Sequence, residues 1–165
     1  MPAVVGAVVL MAAVSIAAAA IGGTATSSGL SDWYSTIRKP SWTPPGWLIG
    51  QVWTVLYTMI AVSGTLALLA LRRRAADQRL VSVCFEPVML VFFIHMAFNA
   101  FWSIAFFGMR APWLAFGVII AMVLSIIVLI SGFGRVSRTA SRLLMPYLAW
   151  VCFAGALNLT IAWMN

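Results

Sequence analysis

The sequence predicts an all-α membrane protein: a five-transmembrane-helix bundle with a Trp/Pro-rich loop between helices 1 and 2. Three observations lead there. The 165 residues are 64% hydrophobic and only 8% charged, with a mean hydropathy of +1.05. A soluble domain is about half apolar and about a quarter charged. Five apolar stretches are separable, each close to or above the ~20 residues that cross a hydrocarbon core of about 30 Å. None alternates with the period of two that a transmembrane strand needs. One membrane domain over residues 1–165 accounts for the whole length.

The first helix, at about 3–25, is rich in Ala, Gly and Val, small residues that let helices approach closely in lipid. It lacks a positively charged leader and no polar domain follows it, so it reads as a retained span rather than a cleaved signal. The second helix runs from about 47 to 71. The third runs from about 82 to 107, with Pro87 tolerable in its first turn. The fourth covers about 113–133 and the fifth about 143–164.

Between the first two helices lies the most distinctive run, DWYSTIRKPSWTPPGWLIGQVW. It carries Trp33, Trp42, Trp47 and Trp53 among Pro40, Pro44 and Pro45. Proline removes a backbone donor and fixes φ, so the run cannot be one continuous helix. Tryptophan settles where one end is dry and the other wet. A stiff aromatic connection lying on a membrane fits both facts, and so does one that closes over a flat apolar ligand.

The net charge of +7 comes from ten basic and three acidic residues. Arg72, Arg73, Arg74, Arg79, Arg135, Arg138 and Arg142 fall on one side of the spans, and Arg38, Lys39 and Arg110 on the other. The positive-inside rule places the arginine-rich side and the N-terminus in the cytoplasm, as in a bacterial cytoplasmic membrane. An outer membrane stays open, and the rule weighs less there. The charge pattern does not point to nucleic acid, since no soluble basic surface is offered. Cys84 and Cys152 sit in apolar context without metal-type spacing and read as buried, unpaired thiols.

Polar and aromatic residues share helix faces inside the spans. Trp53 and Tyr57 are four apart on the second helix. His95, Asn99, Trp102 and Phe106 form a stripe on the third, and Tyr147, Trp150, Ala154 and Asn158 a similar one on the fifth. Amides in hydrocarbon must face the bundle interior and find partners. Asn99 and Asn158 are therefore either interhelical hydrogen bonders or, for Asn99, a ligand contact. His95, the one histidine, reads first as a hydrogen-bonded core residue and only weakly as an axial ligand to a metal-bearing tetrapyrrole. Trp113 and Trp163 read as interface anchors. The acidic residues Asp32, Asp77 and Glu86 form no carboxylate pair, and no acid/base or nucleophile set can be assembled. Asp32 reads as a cap or loop ion pair, and Glu86 as a first-turn residue favoured by the helix dipole.

WY at 33–34, KPSWTPPGW at 39–47, WTVLY at 53–57, FNAFWSIAFFGMR at 98–110 and PYLAWVCFAGALN at 146–158 together resemble the TspO family. These are the tryptophan-rich sensory proteins related to the mitochondrial translocator protein, the peripheral-type benzodiazepine receptor. The segments come in the family's order and cover about a quarter of the chain. The resemblance implies a homodimeric receptor or sensor for porphyrins such as protoporphyrin IX and for isoquinoline carboxamides, with porphyrin as ligand and no required cofactor. It implies a pocket walled by Tyr34, Pro44, Ile49, Trp53, Tyr57, Asn99, Trp102, Trp150 and Ala154. Trp53 and Trp150 match tryptophans implicated in light-dependent porphyrin breakdown in some members, so they are the candidates for any catalysis. A small transporter is the remaining alternative, with only His95 as a mid-membrane ionisable group. The Tyr and Arg that animal members carry near the end of the fifth helix are missing from ALNLTIAWMN, so the resemblance does not extend to cholesterol.

Overall fold

In a computed structural model the described residues are 2–30, 33–75 and 79–165. They form α1 (Pro2–Leu30), α2 (Trp33–Thr36), α3 (Gly46–Arg74), α4 (Leu80–Cys84), α5 (Pro87–Ser103), α6 (Pro112–Gly134) and α7 (Arg138–Met164). A π turn, Ile104–Gly108, continues α5. Five of these helices are long and apolar enough to cross a membrane. The 23 residues of α6 alone reach about 34 Å at about 1.5 Å per residue.

The five spans close into a ring in which α1 touches α3 and α5, α3 touches α7, and α6 lies between α5 and α7. Their outer surface is apolar: Val5, Val9 and Ile16 on α1, Leu124 and Val128 on α6, and Phe101 on α5 are all exposed. Water would penalise so large an apolar surface, and lipid does not. The inner faces hold a continuous core that includes Met11, Ile60, Leu68, Phe92, Met122, Phe133 and Tyr147.

Small residues set how closely α1 approaches its neighbours. Ala7, Met11, Ser15, Ala18, Gly22 and Gly29 line its buried face. A Cβ on Gly29 would lie 2.8 Å from both Cβ and the backbone oxygen of Phe107. One on Gly64 of α3 would lie 2.9 Å from Met11 Sδ and Phe92 Cζ. These are the close crossings that small residues permit in lipid.

Three helix ends lie five residues from the sequence expectation. The first span continues past 25 to Leu30, where Thr26, Ser27 and Ser28 hydrogen-bond backbone carbonyls three or four residues back. The third span does not start at 82. The chain breaks at Phe85 and Glu86 after α4, and Pro87 opens α5, because a proline at the first helical position costs no hydrogen bond. Glu86 is thus the residue before the helix, with no side-chain cap, rather than a first-turn residue. The fifth span begins at Arg138, capped by Ser137 accepting from the Ala140 N–H at 3.2 Å, and Pro146 lies inside it. The expectation for Asp32 falls outside the described residues, as does Asp77.

The cysteine reading is corrected in part. Both thiols are free, but Cys152 is exposed on the outer face of α7 and Cys84 is half-buried. An outward position on a span is covered by lipid, so an apolar sequence context does not imply burial in protein. Burial pushes the Cys84 thiol up from its ordinary value. The two arginine-bearing turns share one end of the bundle, where Arg74 Nη1 donates to the Arg135 carbonyl at 3.0 Å.

Candidate functional site: an aromatic cavity beneath the connection

The site lies between α1, α3, α5 and α7 at the end that carries the Trp/Pro connection. All nine residues named from the resemblance line one cavity of about 720 Å³. Tyr34 and Pro44 come from the connection, Ile49, Trp53 and Tyr57 from α3, Asn99 and Trp102 from α5, and Trp150 and Ala154 from α7. α6 contributes nothing to this lining.

The walls are ring systems held in register by helical spacing. Trp53 lies 5.5 Å from Tyr57 on its own helix and stacks on Trp102 at 6.5 Å, with 26° between the planes. Trp102 in turn stacks on Phe106 at 5.6 Å and 22°. The π turn matters here. It carries both Phe106 and Phe107 into the interior, 4.9 Å apart and edge to face, and such turns recur beside functional sites. Beyond the turn, Arg110 takes φ 54, a left-handed backbone, before α6 begins. On α7, Trp150 lies 5.4 Å from Phe153, and Phe153 meets Trp42 of the connection edge to face at 5.8 Å.

The connection is pinned rather than loose. Tyr34 packs on Phe106 and Phe107 at 6.2 and 5.5 Å, and Trp33 on Phe106 at 5.4 Å. Burial pushes the Tyr34 phenol up from its ordinary value, so it stays neutral. Thr43 closes a turn on the Pro40 carbonyl, to which its N–H donates at 3.0 Å and its hydroxyl at 2.7 Å. Asn165 clamps the connection from the end of α7: its Oδ1 accepts from the Arg38 N–H at 2.9 Å and its Nδ2 donates to the Arg38 carbonyl at 3.0 Å.

The polar groups are few. Asn99 is almost fully buried at 2% exposure. Its Oδ1 accepts from the Tyr57 hydroxyl, and its Nδ2 donates to the Tyr147 hydroxyl at 2.6 Å. Asn158 accepts from Trp102 Nε1 at 3.1 Å and donates to the Pro112 carbonyl at 2.8 Å, joining α5, α6 and α7. The indole N–H of Trp150 is buried and meets no acceptor. An unmet buried donor costs about 1–3 kcal/mol.

Several lining residues escaped the sequence reading, Lys39, Gly22 and Thr26 among them. Lys39 lines the cavity, its ammonium donating to the Tyr34 carbonyl at 2.8 Å and sitting 4.5 Å from the Tyr34 ring centre. It is the single charged side chain among the described lining residues. Gly22 and Thr26 of α1 also line the cavity, and nothing in a run of small residues marks which of them face it. His95 does not reach the cavity. Its Nδ1 lies 2.8 Å from Ser125 Oγ and its Nε2 2.9 Å from the Tyr147 hydroxyl, so both ring nitrogens are engaged by protein. Among the described residues no group of His, Cys, Asp and Glu could hold a metal ion. Trp113 and Trp163 stand together, 6.1 Å apart, on the outer surface.

Comparison with known proteins agrees with this architecture. The sequence profile of the TspO/MBR family matches residues 8–164. The chain belongs to the TspO/MBR family. It is 40% identical over 144 residues to the tryptophan-rich protein TspO of Chlorobaculum tepidum, covering 87% of this chain and 86% of that one. It is 35% identical to the protein of the same name from Archaeoglobus fulgidus, with 87% of each covered. The human translocator protein shares 32% identity over 127 residues, 76% of this chain and 70% of its own. The chain is an integral membrane protein of this family of sensory and translocator proteins.

Proposed function

We propose that this chain is a membrane receptor for porphyrins of the protoporphyrin IX type, taken up in the cavity beneath the connection, with a role in tetrapyrrole or stress regulation. The observation that carries the reading is the cavity itself. At about 720 Å³ it falls within the roughly 300–1,000 Å³ of small-molecule sites, which are mostly apolar with a few placed polar groups. Its stacked rings suit a flat aromatic body. Lys39, held by one carbonyl, keeps ammonium donors for a carboxylate. Isoquinoline carboxamides share the flat body and bring an amide. The family's homodimer, and a cytoplasmic N-terminus in a bacterial inner membrane, belong to the same proposal.

The test is a protoporphyrin IX titration of purified protein, followed by quenching of tryptophan emission. Trp53→Ala and Asn99→Ala weaken binding while the helical content stays unchanged. Lys39→Met weakens protoporphyrin IX but not its dimethyl ester. Unchanged affinity in the first two variants refutes the pocket assignment.

A second reading has one observation behind it. Trp53 and Trp150 both line the cavity, so light- and oxygen-dependent porphyrin oxidation would place indoles against the substrate. Bleaching at the native rate after both are changed to phenylalanine would end that reading.

A further inference from the structure

The geometry points to His95 as the residue that sets the hydrogen-bonding polarity of the cavity floor, acting through Tyr147 and Asn99 on Tyr57. The inference rests on the proposed use of the cavity and names a preference within it: a ligand that brings an N–H or O–H donor to Tyr57.

The polar groups below the aromatic walls form one chain across four spans. Tyr57 on α3 donates its hydroxyl hydrogen to Asn99 Oδ1. Asn99 on α5 donates from Nδ2 to the Tyr147 oxygen on α7. The Tyr147 hydrogen is then left for His95 Nε2, 2.9 Å away. A nitrogen that accepts carries no proton, so the proton sits on Nδ1 and is donated to Ser125 Oγ on α6 at 2.8 Å. Ser125 completes the run by donating to its own helix, to the Ala121 or Met122 carbonyl at 2.8 or 2.9 Å. Every donor points the same way.

The direction has a consequence at the cavity. Tyr57 has given its only hydrogen to Asn99, so its oxygen offers the cavity lone pairs alone. The direction is also reversible. An amide turned by half a rotation would accept from Tyr147 and donate to Tyr57, and the Tyr57 hydrogen would then be released toward the cavity. The His95 tautomer decides between the two states, and Ser125 holds that tautomer because its hydroxyl hydrogen is already committed to the helix backbone. His95 and Ser125 lie outside the cavity lining, so both act as positioning residues and touch no ligand.

Two flat tricyclic probes separate the states: carbazole, an N–H donor with no acceptor nitrogen, and acridine, a ring-nitrogen acceptor with no donor. Each is equilibrated by dialysis against the purified protein in detergent at a pH where acridine is neutral. The native chain is expected to favour carbazole about fivefold, the worth of one ordinary hydrogen bond. His95→Leu removes the acceptor for Tyr147, and the preference falls to parity or inverts toward acridine. Ser125→Ala, a milder change, shifts the ratio in the same direction and decides the matter if His95→Leu does not fold. Native protein that binds both probes equally, or a ratio that stays fixed in the folded variants, overturns the inference and leaves the cavity reading standing. Failure of the native protein to bind either probe overturns both.

Discussion

Two glycines of α1, six residues apart, are expected to respond to the same substitution with opposite signs. At Gly29 an added Cβ would stand 2.8 Å from Phe107 Cβ and 2.8 Å from the Phe107 backbone oxygen. Carbon atoms rest at about 3.5–4.0 Å, so α1 or the π turn must yield by about 0.7 Å or more. A backbone oxygen cannot rotate away. Overpacking of this kind costs about 1–3 kcal/mol, and alanine's better helix propensity returns at most about 1 kcal/mol. Gly29→Ala should therefore destabilise, by up to about 2 kcal/mol. At Gly23 nothing lies within 4 Å of the added carbon. Only the propensity gain remains there, so Gly23→Ala should stabilise by up to about 1 kcal/mol. The assay is reversible unfolding of both variants in mixed micelles with increasing sodium dodecyl sulfate, followed by far-ultraviolet circular dichroism. Equal effects at the two sites, or a Gly29→Ala protein more stable than the native chain, would refute the close crossing of α1 on the π turn.

Four further outcomes are expected. Tyr147→Phe should cost more stability than Tyr57→Phe in the same assay, because it strands a His95 nitrogen at 1% exposure whereas Tyr57 strands only an Asn99 oxygen beside the cavity. Equal losses would argue against a dry network. Trp150→Phe should leave stability unchanged or raised, since it removes a buried N–H that has no acceptor, while lowering porphyrin affinity in a quenching titration. The Tyr34 phenol is raised by burial above its ordinary 10.0, so its packing is fully present below that pH and is lost as pH rises through the folded value. An alkaline change in tryptophan emission should vanish in Tyr34→Phe. Cysteines placed at Thr139 and at Ser41, in a chain freed of Cys84 and Cys152, should react with an impermeant maleimide from the cytoplasmic and the opposite face respectively. The reverse pattern would invert the orientation assigned from charge.

The cavity was legible in advance to the extent that helical spacing determines faces. Trp53 with Tyr57, and Trp150 with Ala154, are four residues apart, so each pair shares a face wherever its helix happens to lie. What spacing cannot show is which partner a face meets. Asn99 could be read either as a helix joiner or as a ligand contact. The fold makes it the joiner of Tyr57 and Tyr147 and also leaves it in the cavity lining. Lys39 reads as a loop charge in the sequence, and only the fold sets its ammonium against Tyr34 in the cavity lining. Cys152 shows the opposite failure, because an apolar neighbourhood in sequence describes lipid and protein interior equally well.

Composition and run length alone were enough to establish five spans, because the bilayer imposes one length and one polarity on every crossing segment. The prolines likewise established that residues 33–53 could not form one continuous helix. The tertiary structure decided the rest. It set where α5 begins, through a local break before Pro87. It turned Phe106 and Phe107 inward together, through one π turn. It also brought together the chain from Tyr57 to Ser125, which depends on hydroxyls, an amide and an imidazole contributed by four different spans. Hydrogen bonds between spans tolerate only a few tenths of an ångström around about 2.9 Å, and that fit exists only once the helices have packed.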